Sequence, residues 1–352
     1  MFCRTHILPG KGPPVISRVA VLGFGSSGQR FVKVVRESLS DVDVMVYSRH
    51  AAEAPGIQVT SRLEDVSAFQ PQIAVVAGAA SDRISMVRAL PDQTVAFLIE
   101  KPLEVSSESG LGLARIINER GAFCQVGYNL RFSPSLLKFR SLIASGEVGG
   151  IVSVRAETGQ YLPGWRPDRD YRSTVTARRD AGGGVLRELS HEIDYLQWIF
   201  GDISWVSARL GRQSQLEIDV EDVAHITCGF TASDGSPEIV GQLNLDMARH
   251  DTVRSVTAIG RKGSLRWDGV LMKVSIWAEE HRNWTPVFSE DLNGPSTYAL
   301  QWEGFCEALA GSASGGASVE EALTVLQVIE AAEKSHRGAS KITSVVKLGP
   351  IG

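Results

Sequence analysis

A glycine-rich turn constrains this chain more than any other feature of its sequence. Three glycines with the spacing Gly-x-Gly-x-x-Gly come directly after the apolar run at 19–22, and a helical pattern begins at about Ser27. The first glycine allows a tight turn, the second lets the backbone approach a ligand, and the third lets helix and strand pack closely. Backbone N–H groups and the helix dipole then face an anion, here a dinucleotide pyrophosphate. The residues predicted to bind it are Gly23, Phe24, Gly25, Ser26, Ser27 and Gly28.

The first third of the chain alternates short apolar runs with stretches of helical spacing. This alternation is typical of a parallel sheet with crossover helices, and it predicts a doubly wound α/β domain. The predicted strands are residues 19–22, 42–47, 73–77, 95–99 and 122–126.

After residue 127 the pattern changes to strand-like runs with few helices between them, which is typical of an antiparallel or mixed sheet. The predicted strands are residues 151–158, 206–210, 223–230, 239–245, 253–259 and 270–277. The predicted helices are residues 134–145, 298–310 and 319–336.

With 352 residues the chain exceeds one hydrophobic core, which stops growing at about 250 residues. We expect the doubly wound domain to be followed by an α+β domain with a large, open, mostly antiparallel sheet. The predicted segments are a flexible N-terminal arm at 1–16, the nucleotide-binding domain at 17–126, the α+β domain at 127–316, and a C-terminal helix and tail at 317–352 that pack back toward the first domain.

Composition argues against several classes of partner. The net charge of −4 provides no basic excess that would attract nucleic acid or an anionic membrane. The apolar runs are much shorter than the ~20 residues that cross a bilayer. The cysteines Cys3, Cys124, Cys228 and Cys306 lie far apart, without the close pairs of metal or redox motifs. We expect a cytoplasmic protein with reduced thiols, no metal, and neither nucleic acid nor membrane as a partner.

The end of the second predicted strand bears on which dinucleotide binds. An acidic residue there, roughly 20 residues after the glycine turn, bonds the ribose 2′-hydroxyl of NAD and repels a 2′-phosphate. This chain has Ser48 and Arg49 instead. A hydroxyl and a guanidinium suit a phosphate, so NADP is preferred over NAD. The alternative is that Arg49 is a solvated charge and that other residues decide selectivity.

Glu100, Lys101 and Pro102 follow the fifth predicted strand, at the edge where ligands of open α/β sheets bind. Proline fixes the turn and restrains the lysine before it to an extended conformation. The Lys101 ammonium can then lie over the cleft and polarise a hydroxyl or a carbonyl. The alternative is an ordinary surface lysine.

A second group of chemically capable side chains lies on a predicted helix after the glycine run 182–184. Apolar residues at 186, 189, 193, 196 and 200 predict a buried stripe. The other face then carries His191, with Glu188 three residues before it and Asp194 three residues after it. Carboxylates at these positions can orient a general base. The alternative is a structural or solvated histidine.

In their order and spacing these motifs resemble the glucose-fructose oxidoreductase / inositol dehydrogenase / MocA (Gfo/Idh/MocA) family over nearly the whole chain. The segment Gly127-Tyr128-Asn129-Leu130-Arg131-Phe132, followed by Pro134, is part of the resemblance. It implies a Rossmann domain followed by an open sheet whose face holds the substrate beside the nicotinamide.

The resemblance also implies hydride transfer between a sugar carbinol carbon and C4 of the nicotinamide. His191 would take the hydroxyl proton and Lys101 would stabilise the developing oxyanion, or the two roles are exchanged. Glu100, Lys101 and Asn129 would bind the cofactor. Lys101, Arg131, His191 and Asp194 would bind the substrate. Asn129 and Arg131 can instead be polar anchors of the interdomain hinge.

The chain departs from the family pattern at two places. Many members have an aspartate four residues before the histidine, whereas this chain has Arg187 there, with Glu188 as the nearest acid and candidate replacement. The family's Thr-Pro-Asn type of turn after the fourth strand is replaced by the run from Ala77 to Arg83. The backbone of Ala77 and Gly78 can still line the cofactor.

Specificity is expected from the loop before the His191 helix, which is rich in aromatic residues and arginines. Aromatic faces stack on sugar rings, and arginines bind phosphate or carboxylate. A charged sugar, which is acidic, phosphorylated or nucleotide-linked, is therefore the substrate hypothesis; the alternative is a solvated loop with internal salt bridges. The predicted substrate-binding residues of the loop are Tyr161, Trp165, Arg166 and Tyr171.

Two other functions remain open: a redox-assisted glycosidase of the same family, and a non-catalytic NADP-binding sensor. The presence of both Lys101 and His191 argues against the sensor. The resemblance further implies a homodimer or homotetramer formed through the open sheet.

Overall fold

The computed structural model describes residues 16–39, 41–50, 56–231, 237–279 and 282–349. The chain divides into two compact units. The first contains residues 1–129, 295–323 and 349–352, and the second contains residues 130–294 and 324–348. The predicted N-terminal arm, apart from Ile16, and Cys3 lie outside the described residues.

The first unit begins with six strands and the helices that connect them. In chain order these are β1 (Arg18–Leu22), α1 (Ser26–Ser38), β2 (Asp43–Tyr47), β3 (Gln58–Thr60), α2 (Leu63–Phe69), β4 (Ile73–Val76), α3 (Arg83–Ala89), β5 (Ala96–Ile99), α4 (Ser107–Glu119) and β6 (Phe123–Val126). The strands form one parallel sheet in the order β3-β2-β1-β4-β5-β6. The predicted doubly wound sheet is confirmed, with β3 added at its edge.

The central strands β1, β4 and β5 are apolar and almost wholly buried. Val19 is in register with Ile73, and Ile73 with Ala96. Continuous burial of this kind is expected where helices cover both faces of a parallel sheet. Because the strands are parallel, their carboxyl ends meet at one edge, and the glycine turn after β1 lies at that edge.

The second unit has a long sheet with helices against one face. Its elements are α5 (Pro134–Ala144), β7 (Ile151–Gly159), α6 (Val185–Glu188), α7 (Ser190–Phe200), β8 (Ile203–Gly211), β9 (Val223–Phe230), β10 (Ile239–Asp246), β11 (Val253–Gly260), β12 (Gly263–Asp268), β13 (Lys273–Ala278) and β14 (Asn283–Ser289). Three elements follow along the chain: α8 (Thr297–Leu309), α9 (Val319–Arg337) and β15 (Thr343–Ser344).

The nine strands of the second unit are ordered β14-β13-β12-β11-β7-β10-β9-β8-β15. β7 and β10 run parallel, and the other strand pairs of this sheet, among the described residues, are antiparallel. In β10 the side chains of Leu243 and Leu245 are buried, whereas Gln242 and Asn244 are exposed. This alternation identifies a sheet with one packed face and one open face, as the sequence predicted.

The structure corrects the predicted place of α8, which the sequence assigned to the α+β domain. Its residues Trp302 and Phe305 are buried in the apolar core of the first unit, together with Val19 and Phe31. The indole N–H of Trp302 donates to Ser38 Oγ over 2.7 Å. The helical pattern of α8 was visible in the sequence, but nothing local identified a partner about 270 residues earlier.

The structure groups most of the predicted C-terminal segment 317–352 with the second unit. β15 pairs antiparallel with β8, and Thr343 is in register with Val206. The hydroxyl of Ser335, on α9, accepts a hydrogen bond from the backbone N–H of Ala208 over 2.9 Å. Residues 324–348 therefore belong to the second unit, because their backbone and side-chain groups find partners on the β8 edge.

No helix in the described part of the chain is long and apolar enough to cross a bilayer. Within those same residues, no cluster of three or more His, Cys, Asp or Glu side chains is arranged to hold a metal ion. Cys124, Cys228 and Cys306 are free thiols, and burial raises the pKa of Cys228 to about 12.

We expect Phe305→Ala to lower the free energy of unfolding by about 3–5 kcal/mol, because it leaves a cavity in the core of the first unit. Glu303→Ala, at an exposed position of the same helix, is the matched control and should change it by less than about 0.5 kcal/mol. Urea unfolding followed by circular dichroism measures both. Equal effects of the two substitutions would contradict the assignment of α8 to this core.

Candidate dinucleotide and substrate sites

The glycine turn after β1 is closed by backbone contacts that leave no room for a side chain at two of its glycines. Gly23 has a φ of +108°, and a Cβ atom added there would lie 2.5 Å from the backbone nitrogen of Gly78. A Cβ atom added at Gly28 would lie 1.9 Å from the carbonyl oxygen of Gly23. Both positions therefore require glycine, Gly23 for its conformation as well as for space.

Gly25, in contrast, is exposed to open space. A Cβ atom added there would meet no described atom within 4 Å. Gly25 is the N-cap of α1, whose first turn has no acidic residue and no side-chain cap among the described residues. The N–H groups of Ser26 and Ser27 and the positive end of the helix dipole are thus available to an anion, while Phe24 packs against the core of the unit. This turn fits a dinucleotide pyrophosphate.

Ser48 and Arg49 follow β2 at the same edge of the sheet. Ser48 is nearly buried, and its N–H donates to the carbonyl of Thr60 over 2.9 Å. Arg49 forms an ion pair with Asp82, with 2.7 Å between Nη2 and Oδ2. Asp82 ends the short helical turn Ala80–Asp82 after β4. Asp82 is not among the predicted site residues, because nothing near position 49 in the sequence indicates this pairing.

Ala77 and Gly78 line the edge next to the glycine turn. The N–H of Ala77 donates to the carbonyl of Leu22 over 2.8 Å. The buried Arg83 guanidinium donates to the carbonyls of Gly78 (3.3 Å) and Leu103 (3.2 Å), and also to that of Pro102. Burial lowers the pKa of Arg83 to about 10. Arg83 therefore joins the turn after β4 to the segment after β5, a role that the sequence did not reveal.

Glu100 and Lys101 come directly after β5, and the peptide bond between Lys101 and Pro102 is cis. Glu100 is buried, and its Oε2 accepts the N–H of Lys101 over 3.2 Å. Burial raises the pKa of the Glu100 carboxyl, and the positive charge of Lys101 partly offsets that rise. Lys101 is half-buried beside this carboxyl. Its position at the carboxyl edge agrees with the sequence prediction.

The first turn of α8 contributes two residues that the sequence did not predict. Thr297 Oγ1 accepts a hydrogen bond from Asn129 Nδ2 over 2.7 Å, and Asn129 is nearly buried. The hydroxyl of Tyr298 interacts with the side chains of Ser27 and Arg30, and its ring contacts Phe31 edge-on. Burial raises the pKa of Tyr298, and the carboxyl of Glu100 adds to the rise. Thus α8 supports Asn129 and the start of α1.

His191 lies in the first turn of α7, in the second unit. The helix predicted to run from the glycine run through His191 is interrupted at Leu189, which separates α6 from α7. Gly184 precedes α6 with a φ of +110°, and a Cβ atom there would lie 2.4 Å from the carboxylate of Glu221.

His191 is half-buried, and Glu188 on α6 accepts a hydrogen bond from Thr176 Oγ1 over 2.9 Å. Arg187 pairs with Glu333 at 2.6 Å.

The predicted polar face of this helix is buried in part, because Asp194 and Tyr195 are buried whereas His191 and Glu188 are half-buried. Asp194 is 2% exposed and Arg131 is 3% exposed, and they form a bidentate ion pair whose shortest N–O distance is 2.7 Å. Tyr195 is fully buried. Arg131 also lies over the ring of Trp198, 5.4 Å from its centroid. The pair thus holds the backbone at Arg131 against α7, and the substrate contacts predicted for both residues stay a prediction.

Glu192 is a further buried residue next to His191 that the sequence did not single out. Its Oε1 accepts hydrogen bonds from Arg254 Nε over 2.9 Å and from Thr158 Oγ1 over 3.1 Å. Burial, with the nearby Glu192 carboxylate, raises the pKa of Tyr195 well above its usual value. Glu192 is therefore bound to β7 and β11, and these hydrogen bonds restrain the backbone of its neighbour His191.

In the loop after β7, the predicted residue Arg166 is exposed, whereas the three predicted aromatic residues are half-buried. The ring of Tyr161 stacks on His250 with centroids 4.1 Å apart, and the indole N–H of Trp165 donates to the carbonyl of Gln160 over 3.0 Å. The hydroxyl of Tyr171 accepts the N–H of Glu217 over 3.2 Å. Arg166 and Arg169 are exposed.

Two arginines of this loop region form ion pairs with carboxylates. Arg172 pairs with Asp170 at 2.9 Å and with Glu217 at 2.7 Å, and Arg178 pairs with Asp180 at 2.8 Å. The internal salt bridges expected as the alternative to substrate binding are therefore present for these two arginines.

Comparison with known proteins decides the family. The protein-family model described as "Oxidoreductase family, NAD-binding Rossmann fold" matches residues 17–128. A second family model, "GFO/IDH/MocA C-terminal domain", matches residues 136–266. The chain belongs to the Gfo/Idh/MocA family. The resemblance inferred from the motifs is confirmed, as are oxidoreductase activity and a nicotinamide dinucleotide as its cofactor.

Individual members of the Gfo/Idh/MocA family are similar over nearly the whole chain. The rhizopine catabolism protein MocA of Rhizobium meliloti is 26% identical over 329 residues, which cover 90% of this chain and 93% of that protein. Inositol 2-dehydrogenase of Mycolicibacterium gilvum is 26% identical over 346 residues, covering 88% and 92%. A levoglucosan dehydrogenase in complex with NADH and L-sorbose has the same fold, with a TM-score of 0.80, 17% identity, and coverage of 94% and 99%.

In this Gfo/Idh/MocA protein, alanine substitutions at Gly25 and Gly28 should affect different properties, dinucleotide affinity in the first case and stability in the second. Gly25→Ala should leave the free energy of unfolding within about 0.5 kcal/mol of wild type, because the added methyl meets open space. It should still raise the Kd for the dinucleotide about tenfold or more, which is a loss of ~1.4 kcal/mol.

Gly28→Ala should instead destabilise the fold by about 2 kcal/mol or more, because its methyl meets the carbonyl of Gly23. Denaturant unfolding without ligand and calorimetric titration with NAD+ and NADP+ separate the two effects. A Gly25→Ala variant that binds as wild type does would contradict the open face as the pyrophosphate site.

Proposed function

We propose that this protein is an NAD(P)-dependent dehydrogenase or reductase that acts on a CH–OH group of a sugar or polyol. The observation that carries the proposal is the carboxyl edge of the first unit, where the open face of Gly25 and the lysine held by Glu100 occur together. The names of the relatives support the substrate class, since one is an inositol 2-dehydrogenase and a solved neighbour is a levoglucosan dehydrogenase.

In the oxidative direction the carbinol carbon loses a hydride and its hydroxyl loses a proton, and the C–O bond becomes a carbonyl. The bound nicotinamide supplies the acceptor for the hydride at C4. The residues of the chain orient the substrate and handle the proton. Reduction is the same sequence in reverse.

Lys101 and His191 are the residues that we propose for the hydroxyl proton. The Lys101 ammonium stabilises negative charge as it develops on the oxygen, and the buried Glu100 beside it restrains the lysine backbone. His191 accepts the proton as general base. Glu188 takes the place of the acid that orients the histidine, and Thr176 holds its carboxylate. Asn129, supported by Thr297, is assigned to the cofactor.

Two substitutions test this assignment. Lys101→Met and His191→Asn should each lower kcat by about 10²- to 10⁴-fold, the usual contribution of a positioned proton-transfer group. The Kd for the dinucleotide should change by less than about threefold, because the glycine turn is untouched. Lys33→Gln, at an exposed position of α1, is the matched lysine control and should turn over as wild type does.

The assay follows absorbance of the reduced nicotinamide with a panel of sugars, polyols and their acidic and phosphorylated derivatives. Net reduction of the dinucleotide by a free sugar is the expected result. Wild-type turnover rates in both variants, with dinucleotide still bound, would contradict the proposed roles.

We propose more specifically that the substrate is a negatively charged sugar. This proposal rests on Arg166 and Arg169, because they are exposed on the loop after β7, whereas Arg172 and Arg178 form ion pairs with carboxylates. A guanidinium binds a carboxylate or phosphate with paired hydrogen bonds, and Tyr161 and Trp165 offer faces for a sugar ring nearby in the same loop.

Arg166→Gln and Arg169→Gln should each raise the KM for an acidic or phosphorylated sugar by about fivefold or more, the order of one charge-assisted hydrogen bond. The KM for a neutral sugar of the same ring size should stay within about twofold. Arg178→Gln, whose partner is Asp180, is the matched control. Equal changes for charged and neutral sugars would contradict a charged substrate.

A further inference from the structure

The ion pair between Arg49 and Asp82 joins two segments that flank the strand bearing the glycine turn. In the sheet, β1 lies between β2 and β4. Arg49 follows β2, Asp82 follows β4, and 2.7 Å separates their charged atoms. The pair therefore lies at the carboxyl edge on which the glycine turn opens, where the second strand of a dinucleotide-binding domain selects its ligand.

Asp82 is the better fixed partner of the two. Its N–H donates to the carbonyl of Ala79 over 3.0 Å, and its own carbonyl accepts the hydroxyl of Ser85 over 2.7 Å. The next residue, Arg83, is buried and bound to carbonyls of two segments. The side chain of Arg49 is 57% exposed and that of Asp82 is 29% exposed, so the long arginine is the part that can move.

We propose that Asp82 sets the selectivity of this site between NADP and NAD by holding the Arg49 guanidinium. The inference rests on the proposed dinucleotide binding. A 2′-phosphate, with a charge of about −1.5 to −2, would have to draw Arg49 away from Asp82 in order to pair with the guanidinium. NAD has a hydroxyl at this position and leaves the ion pair intact. The acid that commonly ends the second strand is thus replaced by one from the turn after the fourth.

The ion pair is weak enough to be displaced and strong enough to alter selectivity. Exposed pairs of this kind contribute about 0.2–1 kcal/mol. A phosphate therefore competes successfully for Arg49, but with part of its binding free energy lost. As a consequence the protein accepts both dinucleotides, and the NADP preference expected from Ser48 and Arg49 is smaller than their chemistry alone would produce.

The test is equilibrium binding of NADP+ and NAD+ to the intact protein by titration calorimetry. Asp82→Asn should lower the Kd for NADP+ by about fivefold, because Arg49 is released, and should leave the Kd for NAD+ within about twofold. Raising the salt concentration to about 1 M should shrink the NADP+ effect, because the Debye length falls to ~3 Å.

Glu37→Gln is the matched control. It removes one exposed carboxylate from an ion pair with Lys33, at 3.8 Å, near the end of α1. At 1.5 Å per residue that position is about 17 Å from the start of the helix, beyond the Debye length of ~8 Å at physiological salt. Its Kd for both dinucleotides should equal that of the wild type.

The Arg49→Gln background shows whether Asp82 acts through the arginine. There, Asp82→Asn should change the Kd for NADP+ by less than about twofold, because no guanidinium remains to be released. A full fivefold gain in this background would overturn the proposal, since Asp82 would then act by repulsion alone. An unchanged or weaker NADP+ affinity of the single Asp82→Asn variant would also overturn it.

The outcome for wild type separates this inference from the proposed function. A wild-type protein that binds neither dinucleotide contradicts the proposed function itself. If the wild-type protein binds and reduces a dinucleotide, and Asp82→Asn has the same ratio of Kd values for NADP+ and NAD+ as the wild type, only the role of Asp82 is overturned.

Discussion

The close approach of backbone segments at the carboxyl edge of the parallel sheet is the constraint on which the dinucleotide site depends. Gly28 lies against the carbonyl of Gly23, and Gly23 lies against the backbone of Gly78. These contacts hold the end of β1, the start of α1 and the turn after β4 so close together that no side chain fits between them. Only with these separations do the first N–H groups of α1 point toward the open side of Gly25.

Buried charged and polar groups then fix the segments that carry the chemistry. Arg83 binds carbonyls after β4 and β5, and Glu100 accepts the N–H of Lys101. In the second unit the Arg131–Asp194 pair and the hydrogen bonds of Glu192 do the same for α7. Burial of charges is costly unless they are paired, so each of these groups has effectively one place in the fold.

Sequence patterns predicted the elements whose signal is strong and local. The central strands and the long strands β7, β9 and β11 were found because their apolar runs or alternation persist over several residues. The edge strand β3 has three residues, and β14 is largely exposed and contains Pro286, so neither shows a period that distinguishes it from a loop. β15 has two residues and depends entirely on the β8 edge.

The sequence by itself determined the glycine turn, the doubly wound sheet, the open sheet, and the positions of Lys101 and His191 at the ends of elements, because each depends on residues adjacent in the chain. Only the tertiary structure decided which groups surround them. It placed α8 against α1, buried Asp194 against Arg131, and brought Asp82 to Arg49. These pairings join residues from 33 to 264 positions apart, and their geometry follows from packing rather than from any local pattern.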